Sequence, residues 1–181
     1  MNIFIVLLRG INVGGHKKVP MAELRELLIR TGFEGVRTYI QSGNIILRSS
    51  ESKRNIEVKI QEAIKARFGF EVSAIAKTKN ELLKVFDACP FSKEKKASSY
   101  FVLFDKTPNR KLVDEVLKVT YEDEEFKIIK DCLYFYSSAG YGRTKFNMNT
   151  IEKKLEVSAT SRNYKTMAKL IAMSSENEKD Q

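Results

Sequence analysis

Histidine is nearly absent from this chain of 181 residues, which carries one, and cysteine is scarce, with two. The single His16 lies in a basic loop with no orienting carboxylate beside it, so no Ser-His-Asp arrangement is legible and no catalytic residue is assigned. Cys89 and Cys132 are far apart, lack metal-ligand spacing and sit among apolar neighbours, which points to reduced buried thiols and no metal. No stretch approaches the roughly 18 apolar residues of a membrane span, and "MNIFIVLLRG" has neither a basic leader nor a small-residue cleavage site. A cytoplasmic protein without a membrane partner is expected. Acidic charge is in deficit as well: 32 Lys and Arg face 23 Asp and Glu, for a net charge of +9. The excess leans to residues 1–90, with 15 basic against 9 acidic side chains. That balance favours an anionic partner, either a small molecule or a nucleic acid.

What the chain does contain is a repeated element pattern. Ile3 to Leu8 is continuously apolar, as in a strand buried on both faces, and Met21, Leu24, Leu27 and Leu28 then recur at helical spacing behind Pro20. "VRTYIQ" alternates, with Val36, Thr38 and Ile40 on one face, and Ser42-Gly43 turns it into "NIILRS". Ser52 caps a second helix with the stripe Ile56, Ile60, Ala63, Ile64 and Phe68, and "FEVSAIA" supplies a fourth strand. The order β-α-β-β-α-β is that of the ferredoxin-like unit.

Thr78 and Glu81 form a capping box for a linking helix, after which "FSKEKKASS" reads as an exposed linker. The pattern then returns: strand "YFVLF", a helix started by Thr107-Pro108, the hairpin "FKIIK" and "LYFYS" hinged near Lys130-Asp131, and a helix through Ile151 and Leu155. "NYKTMAKLIAM" forms a last helix, with Ser161 or Asn163 as its cap and Arg162 at its positive end. The fold class expected is α+β, a tandem duplication of two ferredoxin-like subdomains plus a C-terminal helix. Its boundaries fall at 1–77, a linking helix and basic linker over 78–98, a second subdomain over 99–160, and the final helix and tail over 161–181.

Residues of binding character concentrate in a few blocks. The loop "GINVGGHKKVP" has no side-chain bulk at Gly10, Gly14 and Gly15, so backbone N–H groups can approach an anion, with Lys17 and Lys18 adding charge. It matches neither dinucleotide nor Walker fingerprints. Arg9, Asn12, Gln41, Ser42 and Asn44 are expected nearby, and Arg143, Lys145, Arg162 and Asn163 near the C-terminus form a second polar group expected to share the pocket. The adjacent carboxylates Asp123, Glu124 and Glu125 read as a solvated face. Phe101, Phe104, Tyr134 and Tyr136 read as packing rather than base-stacking residues, because no RNA-recognition signature accompanies them.

"LLRGINVGGHKKVPMAELRELL", "VRTYIQSGNIIL", "GYGRTKF" and "ATSRNYKTMAKL" resemble, in that order, the signature blocks of the bacterial domain-of-unknown-function family 1697. The resemblance implies two ferredoxin-like subdomains and no established activity. Thr144, Phe146 and Tyr164 stand where the resemblance leads one to expect Ser, Leu and Trp. The preferred expectation is a binding protein for a nucleotide, phosphorylated metabolite or nucleic acid. Two alternatives stand beside it: an enzyme acting on an anionic substrate, and a protein-interaction module without a small ligand. The residues specify neither a cofactor nor an oligomeric state.

Overall fold

The structure is a computed structural model and describes residues 1–140 and 144–176. It contains two compact units, Met1–Lys84 with Ala168–Gln181, and Val85–Met167. In the first, β1 (Asn2–Leu8), β2 (Glu34–Tyr39), β3 (Asn44–Ser49) and β4 (Ala74–Thr78) form an antiparallel sheet in the order β2-β3-β1-β4. The helices α1 (Met21–Arg30) and α2 (Lys53–Phe68) cover one face of it. Strand alternation decides which side chains meet them. Phe4, Val6 and Leu8 of β1, with Ile45 and Leu47 of β3, pack against Leu24 and Leu28 of α1 and Ile56, Ile60 and Ile64 of α2. Ile5, Leu7 and Ile46, on the other face, are buried as well, which explains why β1 reads as an unbroken apolar run.

Local signals placed the start of α2 and of the helix that follows β4. The Ser52 side chain accepts from the Asn55 N–H at 3.2 Å, and Gly69 closes α2 with φ 79°. Glu81 accepts from the Thr78 N–H at 2.8 Å while Thr78 accepts from the Glu81 N–H at 3.2 Å, the reciprocal capping box at the start of α3 (Lys79–Asp87).

The second unit repeats the strand order of the first. β5 (Tyr100–Phe104), β6 (Glu124–Ile129), β7 (Cys132–Ser137) and β8 (Ala159–Asn163) form an antiparallel sheet ordered β6-β7-β5-β8. Its core joins Val102, Phe104, Leu133 and Phe135 to Val116 of α5 (Arg110–Leu117) and Ile151 and Leu155 of α6 (Met148–Leu155). β1 and β5 are thus both internal strands, as their apolar runs require. Both cysteines are free thiols, Cys132 buried and Cys89 half-buried.

The structure departs from the sequence reading in four places. "FSKEKKASS" is no simple linker: Ser92 caps a short helix, α4 (Lys93–Ala97), Lys96 lies 4.3 Å from the Phe86 ring centroid, and Lys95 pairs with Glu125. A helix-favouring run of charged residues behind a serine cap outweighs its polarity. "ATSRN" is a strand, β8, which crosses the boundary expected after residue 160. Its Thr160 and Arg162 side chains are buried despite their polarity, and that hid the pattern. The helix expected from Thr107-Pro108 instead starts behind an Asn109 cap. β2 ends at Tyr39, and Ile40 belongs to the turn rather than to the strand face shared by Val36 and Thr38.

Candidate functional site

Strand β1 exits its sheet beside two reversals, the segment 9–20 and the β2–β3 turn at 40–43. Within the first, the His16 N–H donates to the Val13 carbonyl at 3.0 Å and the Asn12 N–H to the Lys17 carbonyl at 3.1 Å. Gly14 and Gly15, at φ 58° and 79°, are the two central residues of this miniature hairpin, as a type I′ reversal demands. The glycines therefore serve the turn itself, and two of the amides expected to face an anion are donated within the loop.

Asn12 braces the two reversals together. Its side-chain amide donates to the Gln41 carbonyl at 2.8 Å and to the Val19 carbonyl at 2.9 Å, and its oxygen accepts from the Val19 N–H at 2.8 Å. Asn44 is fully buried and donates to the Tyr39 carbonyl and the Ser42 hydroxyl, both at 3.0 Å. Gly43 donates no bulk, and none would fit: a Cβ there would stand 2.7 Å from Leu8 Cβ. Three non-glycine residues at this end hold positive φ, Asn12 at 55°, Lys17 at 47° and Ile40 at 48°. For the β-branched and half-exposed Ile40 this is an outlier costing about 1–3 kcal/mol. Asn12, Gln41, Ser42 and Asn44 are thus gathered as expected, in a hydrogen-bonded scaffold.

Beside this scaffold lies an open cleft of about 730 Å³. Arg9, Gly10 and Lys17 line one part of it and Glu71, Val72 and Ser73 another. The Arg9 N–H donates to the Ser73 carbonyl at 2.9 Å, fixing those two segments. The remaining wall is α2, which contributes Val58, Gln61, Glu62 and Lys65. Their spacing of three, four and seven residues puts them on one stripe, adjoining the buried Ile56, Ile60 and Ile64. Lys65 donates to the Glu71 carboxylate at 2.8 Å, and Lys17 donates to the Glu71 main-chain carbonyl at 2.6 Å. That contact with Lys65 holds the Glu71 carboxyl below, and the Lys65 ammonium above, its ordinary pKa. Sequence reading found Arg9, Gly10 and Lys17 but missed the α2 stripe, whose polar residues look like any solvated helix face. Lys18, Gly14 and Gly15 are exposed and do not line the cleft.

The C-terminal candidates belong to the second unit. Arg162 lies in β8 opposite Phe101, directly before the helix cap Asn163, and its buried side chain donates to the Thr160 hydroxyl at 2.7 Å and the Ser161 carbonyl at 2.8 Å. Burial alone pulls its pKa down to about 10, so the guanidinium stays charged at neutral pH. Asn163 is the cap of α7 (Tyr164–Glu176), accepting from the Thr166 N–H at 2.9 Å. With Lys165, Tyr100 and Tyr136 it lines a second cleft of about 430 Å³. The Lys145 N–H donates to Glu124, whose other oxygen accepts from the Phe146 N–H at 3.1 Å. Arg143 lies outside the described residues. Of the aromatics, Phe101, Phe104 and Tyr134 are buried packing residues, and the Tyr134 hydroxyl donates to the Val85 carbonyl at 2.7 Å. Among the described residues no group of three His, Cys, Asp or Glu side chains is placed to hold a metal, and no helix is long and apolar enough to cross a membrane.

Two antiparallel four-stranded sheets with matching strand order, each with its own helices, define an α+β protein of repeated sheet units. The chain belongs to the family described as Protein of unknown function (DUF1697), whose model matches residues 1–134. The blocks "GYGRTKF" and "ATSRNYKTMAKL" lie beyond that match. The chain is similar to the solved structure of the conserved bacterial protein SP0830 from Streptococcus pneumoniae, with 28% identity and a TM-score of 0.77. That similarity covers 95% of this chain and 98% of the other. No match is found among curated proteins.

Proposed function

We propose that this is a cytoplasmic binding protein for an anionic small molecule, built as a duplication of two ferredoxin-like βαββαβ units, with its ligand held in the cleft beside β1. The order β2-β3-β1-β4, repeated as β6-β7-β5-β8, supports the duplication. One observation carries the binding reading: Arg9, Lys17 and Lys65, from three separate segments, line a single cleft of about 730 Å³. That volume is in the ordinary range for small-molecule sites, about 300–1,000 Å³. The left-handed conformation of Ile40 beside the cleft supports the same reading, since backbone strain clusters at ligand sites.

Calorimetric titration of the protein with inorganic phosphate and phosphorylated metabolites tests the proposal. Saturable binding is expected, weakened about fivefold by Lys17→Ala, the scale of one exposed charge pair near 1 kcal/mol. Binding that is unchanged in Arg9→Ala, Lys17→Ala and Lys65→Ala proteins, or no binding of any anion, sinks it.

A further inference from the structure

We infer that the ligand is a phosphorylated, hydroxyl-rich molecule of the sugar phosphate class, and that the Glu71 carboxylate occupies the phosphate position until this ligand displaces it. The inference rests on the anion-binding reading above and narrows it from nucleotide, nucleic acid and metabolite to one chemistry. Charge is the first argument. Arg9, Lys17 and Lys65 face Glu62 and Glu71 in the lining, an excess of one positive charge. If Glu71 swings out the excess is two, which matches a phosphate monoester carrying about −1.5 to −2 at neutral pH.

Geometry shows why Glu71 is the displaced group. Its carboxylate is held by Lys65 from α2 at 2.8 Å, and its backbone carbonyl by Lys17 from the β1–α1 segment at 2.6 Å. Two ammonium groups on separate elements therefore converge on one residue of the α2–β4 connection. The Lys65–Glu71 pair is solvent-exposed, with side chains 62% and 79% accessible, so breaking it costs little. A phosphate with three acceptor oxygens offers Lys65 a stronger partner than the carboxylate does, and offers Lys17 a charged acceptor in place of a neutral carbonyl.

The remaining lining selects the rest of the molecule. A nucleobase is commonly gripped by stacking on an aromatic ring or an arginine plane. None of the lining residues is aromatic, the lining arginine, Arg9, is taken up by the phosphate in this reading, and the apolar side chains are Val58 and Val72. Beside them in the lining, Gln61, Glu62 and Ser73 carry an amide, a carboxylate and a hydroxyl. A carboxylate accepts from two hydroxyl groups and an amide pairs with either partner, which suits vicinal hydroxyls.

The test is titration calorimetry of wild type, Glu71→Gln and Glu62→Gln with inorganic phosphate, ribose 5-phosphate and AMP, after thermal melts establish that each variant is folded. Ribose 5-phosphate is expected to bind at least about tenfold more tightly than phosphate, with AMP no tighter than ribose 5-phosphate. Glu71→Gln is expected to raise the affinity for both phosphate and ribose 5-phosphate about twofold to fivefold, whereas Glu62→Gln lowers only that for ribose 5-phosphate. Tighter binding of AMP, or equal binding of phosphate and ribose 5-phosphate, overturns the ligand class. Unchanged or weaker binding in Glu71→Gln overturns the displacement. Failure of every anion to bind wild type and Glu71→Gln alike overturns the underlying anion-binding reading instead.

Discussion

Replacing Gly43 with alanine places a methyl group 2.7 Å from Leu8 Cβ and 2.9 Å from Ile11 Cδ1. Neither neighbour can retreat easily, because Leu8 and Ile11 are fully buried and the Leu8 N–H donates to the Gly43 carbonyl at 2.8 Å. Two costs add. Holding a non-glycine residue at φ +77° costs about 1–2 kcal/mol, and overpacking a filled core costs about 1–3 kcal/mol. The expected loss is therefore about 2–5 kcal/mol, a large share of the roughly 5–15 kcal/mol that stabilises a typical domain. Gly10→Ala is the control: its φ is +64° but a Cβ meets nothing within 4 Å, so only the conformational cost of about 1–2 kcal/mol applies. Urea unfolding followed by far-UV circular dichroism separates the two. If Gly43→Ala costs no more than Gly10→Ala, the close approach of the turn to β1 is not what holds the scaffold in place.

Ile40→Asn relieves the left-handed strain at a half-exposed position, so stability is expected to hold or rise by about 1 kcal/mol in the same unfolding assay, and a loss larger than that contradicts the strain argument. Tyr134→Phe removes the hydroxyl bonded to the Val85 carbonyl, with an expected loss of about 1 kcal/mol by denaturation; no loss means the contact contributes nothing. Partial burial opposes ionisation of Glu81, but hydrogen bonds from Lys53 and from the Thr78 N–H outweigh it and hold its carboxyl below the ordinary glutamate range. A depressed carboxyl stabilises the fold above its unfolded pKa and loses that contribution as pH falls through its folded value. Glu81→Gln is thus expected to be less stable than wild type at pH 7 and to converge with it in acid, as thermal melts across pH would show; a constant difference refutes the linkage.

The fold was largely legible because its determinants are local or periodic. The apolar runs Ile3–Leu8 and Tyr100–Phe104 announced internal strands, and Ser52 and Thr78-Glu81 announced helix starts. β8 escaped because Thr160 and Arg162 are buried polar residues, stabilised by hydrogen bonds that no hydrophobic pattern records. The site was half legible. Arg9, Gly10 and Lys17 stand in an unusual glycine-punctuated segment, but Gln61, Glu62, Lys65 and Glu71 come from a helix and a turn about 45–60 residues further on. The pairing of β1 with β4 and the packing of α2 on the sheet bring these segments together. Gly14, Gly15 and Asn12 stood out in sequence because backbone conformation needs them.

The central claim is that an anion binds at the cleft beside β1, and amide chemical-shift mapping during a titration with inorganic phosphate tests it most directly. The account expects saturable shifts at Gly10, Lys17, Lys65, Glu71 and Ser73, with the amides of the second unit, those of β8 included, unmoved. Shifts confined to the second unit, or none that saturate, contradict it.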